Sequence, residues 1–167
     1  MFVVWAACQT FGTQIGLTEK DVPANDWGAV TDNAQVSIML YPVTNVITIN
    51  QNSGFIARIK NLSTNEEFGV YVEASFLLSP GISFNIISPS GKDVSPIFSH
   101  AIRLTGDMVW VHPDKIDGFI IDLQQFCKLD ELGTYKITMT IQRESLDRQK
   151  LYNVVSNPLY VTVIPAQ

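Results

Sequence analysis

The chain has 167 residues, of which 46% are hydrophobic and only 16% charged, and its net charge is −5. That balance excludes intrinsic disorder, which needs low hydrophobicity and high net charge, and the length suffices to bury a core without disulfide staples. The Lys and Arg residues are scattered singly, so the basic stripe that displaces counterions from phosphates is missing and nucleic acid is not an expected partner.

Residues 2–8 form a short apolar run followed by a polar, glycine-containing stretch. The run is too short to span a bilayer, which takes about twenty residues. It suits the end of a secretory signal, and Trp5-Ala6-Ala7-Cys8 resembles a bacterial lipobox, whose cysteine is lipidated after cleavage. The resemblance implies membrane anchoring through Cys8. No Lys or Arg precedes Lys20, so a basic n-region is lacking, and the same residues also suit a first β-strand. Residues 9–26 carry Gly12, Gly16 and Pro23 and read as a linker or arm. The expected organisation is an export or anchor segment with linker over residues 1–26 and one folded domain over 27–167. The expected location is periplasmic, on the outer surface as a lipoprotein, or extracellular.

From Trp27 onward the chain reads as short strands separated by Gly, Pro, Asn and Ser clusters. Strands are predicted over 35–41, ending before Pro42, and over 46–50. A third runs over 55–61, with Phe55, Ala57 and Ile59 on one face and Arg58 and Lys60 on the other. Further strands are predicted over 68–72, 82–87, 108–111 and 118–123. Ser88-Pro89-Ser90-Gly91 is a strong turn signal. Two closing strands begin near Gly133 and Ser156, and only residues 122–132 offer a helical turn. Eight or nine short strands without a longer repeat predict an all-β chain, an antiparallel sandwich.

The corner before the closing strands carries a resemblance. Asp122, Leu123, Phe126, Cys127, Leu129, Gly133, Tyr135 and Ile137 are spaced as in immunoglobulin-like modules of exported bacterial proteins. A similar segment occurs in the β-rich N-terminal region of deuterolysin-like metallopeptidases. In those modules an Asp-Leu pair ends one strand, a helical turn crosses between sheets, and Gly-x-Tyr opens the next strand. The Ser156-Asn157 pair before the last strand is also similar. The resemblance implies an immunoglobulin-like sandwich. Physical reasons accompany it: Gly133 permits a tight turn, and Tyr135 suits a tyrosine corner, ring buried and hydroxyl bonded to backbone. Pro158 suits the start of an edge strand, where it removes a donor from an exposed edge. Cys127 stands where the family has tyrosine and Leu132 where it has proline.

Catalytic and metal chemistry finds little support. His100 and His112 lack zinc-site spacing and a neighbouring thiol, and no H-E-x-x-H occurs. Asp114, Asp117 and Asp122 surround Gly118 without EF-hand spacing and read as an acidic turn with the ligand type for a loop calcium site. No G-x-S-x-G occurs, and Glu66-Glu67 and Asp130-Glu131 are adjacent pairs rather than carboxylates facing one cleft. Neither a cofactor nor a metal is expected. Among the aromatic residues Trp110, between Val109 and Val111, is expected in the core, and Trp27 beside Gly28 is the expected exposed aromatic contact. Asn61-Leu62-Ser63 is a glycosylation sequon, for which the bacterial resemblance gives no use. The expected function is a non-enzymatic binding or accessory module with a protein or glycan partner, met through Trp27, Asp114, Asp117 and the region 92–117. A carbohydrate-binding module is one alternative. A protease-linked domain, inhibitor or pro-domain-like, is the other, and follows from the peptidase resemblance.

Overall fold

The computed structural model describes residues 27–30, 35–42, 44–49, 54–72, 82–95, 107–122, 127–144 and 151–166. Cys8 and the rest of segment 1–26, His100 and the corner residues 123–126 lie outside the described residues. The described chain is all-β: β1 (Val36–Pro42), β2 (Val46–Thr48), β3 (Gly54–Asn61), β4 (Phe68–Val72), β5 (Ile82–Ile87), β6 (Asp107–Val111), β7 (Ile116–Asp122), β8 (Gly133–Glu144), β9 (Leu151–Val155) and β10 (Leu159–Ile164). These are ten strands rather than eight or nine, because the closing segment divides at Ser156-Asn157-Pro158 into β9 and β10. No described residue is helical, so the described part of the corner, 127–132, crosses without a helical turn.

The strands form three sheets. One has the order β1-β3-β7, a second the order β2-β10-β8-β5 with β9 also on β8, and β4 pairs β6 in a two-stranded ribbon. Among the described residues all strand pairings are antiparallel except β2 with β10, which is parallel and aligns Val46, Ile47 and Thr48 with Thr162, Val163 and Ile164. The chain therefore leaves the first sheet at Pro42 and joins the second at Val46, a strand-to-strand switch of the kind that makes sandwich corners. It places β10 between β2 and β8, so the last strand is interior to its sheet and not an edge. Pro158 therefore does not guard an edge strand; it sits in the bend that precedes β10.

A single hydrophobic cluster takes residues from both larger sheets: Val36, Ile38 and Leu40 of β1, Phe55, Ala57 and Ile59 of β3, Phe84 and Ile86 of β5, and Ile137 and Met139 of β8. Phe55 and Phe84 meet edge-to-face across the layers with ring centroids 5.9 Å apart, a favoured aromatic geometry. The alternation in β3 follows the sequence expectation for Phe55, Ala57 and Ile59, but Arg58 is buried too. β3 is the central strand of its sheet, with Met39 and Gly118 as the neighbours of Arg58, and Met39 is likewise buried.

The end of the corner takes up the tight turn and the buried ring expected of Gly133 and Tyr135. Tyr135 is fully buried, and its hydroxyl accepts a 2.8 Å hydrogen bond from the Glu131 N–H. Gly133 has φ +123°, and a Cβ there would lie 2.9 Å from the Cβ of Pro89. Glu131 holds that Pro89 turn from the other side, accepting from the Ser90 hydroxyl at 3.1 Å and the Ser90 N–H at 3.2 Å. The Ser90 hydroxyl is the main reason its carboxyl lies below the ordinary range.

Candidate functional site

The strand switch leaves a groove of about 590 Å³ between the β1–β2 connection and the start of β10. Leu40, Tyr41, Pro42, Thr44, Asn45 and Val46 form one wall, and Asn157, Pro158, Leu159, Tyr160 and Thr162 form the other. Strand alternation assigns the roles. Leu40 and Leu159 point into the core, while Tyr41 is 48% exposed, Val46 51% and Tyr160 54%. All three are exposed at the opening.

Polar groups fix the groove's shape. Asn157 acts as a main-chain mimic: its Oδ1 accepts from the Leu40 N–H at 2.8 Å and its Nδ2 donates to the Leu40 carbonyl at 3.3 Å. The carboxamide thus takes the place of a neighbouring strand on the free edge of β1. Gly28 does the same two residues earlier, donating its N–H to the Ile38 carbonyl at 2.9 Å. Gly28 is also pressed on the β9–β10 bend, where a Cβ would fall 2.3 Å from the Val155 carbonyl oxygen. On the far wall Thr162 donates its N–H to the Asn45 carbonyl at 2.9 Å. Main-chain groups two residues apart on a strand face the same side, so the N–H and C=O of Tyr160 also face the groove. Among the described residues no Asp, Glu, His, Lys or Arg lines it. The arrangement offers aromatic faces, amide and hydroxyl groups and main-chain dipoles, all uncharged.

The residues singled out in the sequence lie elsewhere. Trp27 is half-buried next to Gly28 and does not line the groove. Asp114 sits in the turn between β6 and β7 with φ 55°, and Asp117 in β7 accepts from the Gly118 N–H at 2.7 Å. Among the described residues no three His, Cys, Asp or Glu side chains come together as a metal site. Asn61 of the sequon is buried. Its Nδ2 donates to the carbonyls of Glu66 and Val111, at 2.7 and 2.9 Å, and its Oδ1 accepts from the Ser63 N–H. The sequon is therefore closed in the folded chain, and Asn61 ties the end of β3 to the β4–β6 ribbon.

Trp110 departs from expectation. It is 48% exposed rather than in the core, because its neighbour Val111 and the paired Phe68 take the inward positions of the ribbon. Across the ribbon its partner is Gly69. One step along, the exposed His112 meets Glu67, Nδ1 to Oε1, at 2.7 Å.

The described fold places this chain among all-β proteins with stacked sheets. No protein-family model matches it, and neither does any curated protein. Among solved structures it is similar to Spo0M, a sporulation control protein from Bacillus subtilis, with 8% identity and a TM-score of 0.44 over 80% of this chain and 50% of that one. It is also similar to a beta-glucosidase from Listeria innocua in complex with isofagomine, with 10% identity and a TM-score of 0.41 over 78% of this chain and 16% of that one. The chain thus spans half the length of the first and a small part of the second, and neither likeness carries a functional argument.

Proposed function

We propose that the chain is a non-enzymatic binding module of the cell envelope or extracellular space, built on an immunoglobulin-like sandwich, with its ligand in the groove between the β1–β2 connection and β10. The observation that carries this reading is the groove's lining: two half-exposed tyrosines, Tyr41 and Tyr160, with no acidic, basic or histidine side chain among the described residues. Glycoside hydrolysis needs two facing carboxylates, and none of the described lining residues carries one. A surface of this composition suits recognition of an uncharged ligand. The immunoglobulin-like assignment is supported by the shared core of the two sheets, the strand switch after Pro42 and the tyrosine corner at Tyr135.

The same lining favours the carbohydrate-binding form of this reading. Tyrosine presents an apolar ring with a polar tip, matching the C–H face and hydroxyl rim of a pyranose. Asn45 and the hydroxyls of Thr44 and Thr162, these two already bonded to the Val46 carbonyl and to Thr134, keep the surroundings polar and uncharged. Calorimetric titration of the purified chain with neutral glycans tests it. Tyr41→Ala and Tyr160→Ala are expected to weaken binding at least roughly tenfold with little change in melting temperature, both side chains being half in solvent. Turnover of esterase, glycosidase or peptidase substrates that survives purification would overturn the non-enzymatic reading. Anchoring is tested separately by metabolic lipid labelling, where incorporation lost in Cys8→Ala is expected.

A further inference from the structure

We propose that the outer face of the β4–β6 ribbon is a saccharide-binding platform separate from the groove, formed by Trp110 with the His112–Glu67 pair. His112 directly follows β6, and its contact with Glu67 continues the Phe68–Val111 pairing by one position, so Trp110 and His112, two residues apart, lie on the same side of the ribbon. The register places Gly69 opposite Trp110, and Glu67, the residue before β4, reaches His112 at 2.7 Å. The face therefore carries an indole half in solvent, a cross-strand position without a side chain, and a fixed polar pair beside it.

Each part selects the ligand. An exposed indole needs a partner with an apolar face, and Gly69 leaves a flat approach over the ribbon. The Nδ1 edge of the imidazole is turned to Glu67, so the opposite edge of the ring faces away from that contact. The pair thus sets a polar group beside the indole that sugar hydroxyls, which both donate and accept, can meet. A pyranose has both an apolar C–H face and a rim of hydroxyls. Anions are disfavoured by Glu67 and by the chain's net charge of −5, and a nucleic acid would need phosphate-neutralising side chains.

The platform is held rigid and lies away from the groove. Asn61, through its bond to the Val111 carbonyl, fixes the ribbon next to the two positions it carries, and Ser63 Oγ accepts from the Glu66 N–H at 3.0 Å, shaping the approach to Glu67. The groove sits at the other end of β3, where Phe55 pairs Pro42. Six residues of extended strand separate the two ends by about 20 Å.

The test is tryptophan fluorescence of the full chain titrated with neutral oligosaccharides, comparing the native protein with Trp110→Phe, His112→Ala, Glu67→Gln and Tyr160→Ala. The expected result is a saturable, saccharide-dependent change in the native chain. It should be lost in Trp110→Phe, with affinity measured calorimetrically falling at least roughly tenfold in His112→Ala, and it should persist in Tyr160→Ala. All four side chains are exposed, so each variant's melting temperature serves as the folding control. Full saccharide affinity in Trp110→Phe, or no response of the native chain to any saccharide, would overturn the platform. Binding lost only in Tyr160→Ala would also overturn it while leaving the groove reading in place.

Discussion

Gly133 and Tyr135 stand two residues apart at the start of β8 and impose different demands. Gly133 adopts φ +123°, a conformation L side chains rarely take, and any Cβ would press on Pro89 at 2.9 Å. Gly133→Ala is therefore expected to destabilise the chain by about 2–3 kcal/mol, combining backbone strain with a steric contact. Tyr135→Phe keeps the buried ring but leaves the Glu131 N–H without its 2.8 Å acceptor, which costs about 1–2 kcal/mol. Urea unfolding of both variants checks the order, and an equal or reversed ranking would contradict the backbone argument. Cys127, in the same corner, makes a second prediction at this scale. Burial, with the charge of Asp130 adding, raises its thiol from an ordinary 9.0 to about 11. The folded state thus favours the neutral thiol. Its contribution to stability is whole below about pH 9 and declines as pH rises from there through about 11. In a Cys8→Ala background, alkylation of the native chain is expected to be much slower than that of the unfolded chain, and its rate to keep climbing past pH 9.0 toward about 11. A rate that levels off near pH 9.0 would show an ordinary thiol.

At the level of elements, the structure explains why some strands are legible and others are not. β3, β4 and β5 follow from alternation between turn signals, and their observed limits lie within a residue of the expected ones. The tyrosine corner is legible because Gly133 and Tyr135 carry its chemistry locally. β9 is hidden because Val154 and Val155 run on toward Pro158 without a glycine, and the break comes from Asn157 turning its carboxamide to a strand far away in sequence. Trp110 shows the limit of a local argument. Val111 is buried, and alternation puts the tryptophan beside it on the opposite face of β6. The outward positions of Tyr41 and Tyr160 were readable from their buried neighbours Leu40, Leu159 and Val161. That they share a groove was not, because this depends on the chain leaving the first sheet after β1 and joining the second at β2. The Asn157 clip carries the prediction at this scale. Asn157→Ala removes both hydrogen bonds to Leu40, with an expected cost of about 1–2 kcal/mol. Exchange of the Leu40 amide should quicken roughly tenfold or more, while amides in the β3–β7 ladder keep their protection. Unchanged exchange at Leu40 would mean that water or a neighbouring strand replaces the amide.

For the molecule as a whole, the question is whether the two larger sheets behave as one cooperative unit. Their joint core and the Phe55–Phe84 contact at 5.9 Å say that they do. β1 lies in the first sheet, yet its edge is clipped by Asn157 beside the second, and the chain then crosses at once to β2. Separating the layers would break the core, the clip and the crossover together. Urea unfolding should therefore be a single transition, coincident by fluorescence and by far-ultraviolet dichroism. Phe84→Ala, which empties one side of the layer contact, should lower stability by about 3–5 kcal/mol and keep the transition single. Phe55→Leu and Phe84→Leu, which keep bulk but remove the ring pair, should couple in a double-mutant cycle by about 1 kcal/mol. Two separated transitions in the native chain, or no coupling in the cycle, would mean that the sheets fold independently. In that case the groove, which takes one wall from the end of β1 and the other from β10, would not be a fixed site before ligand arrives.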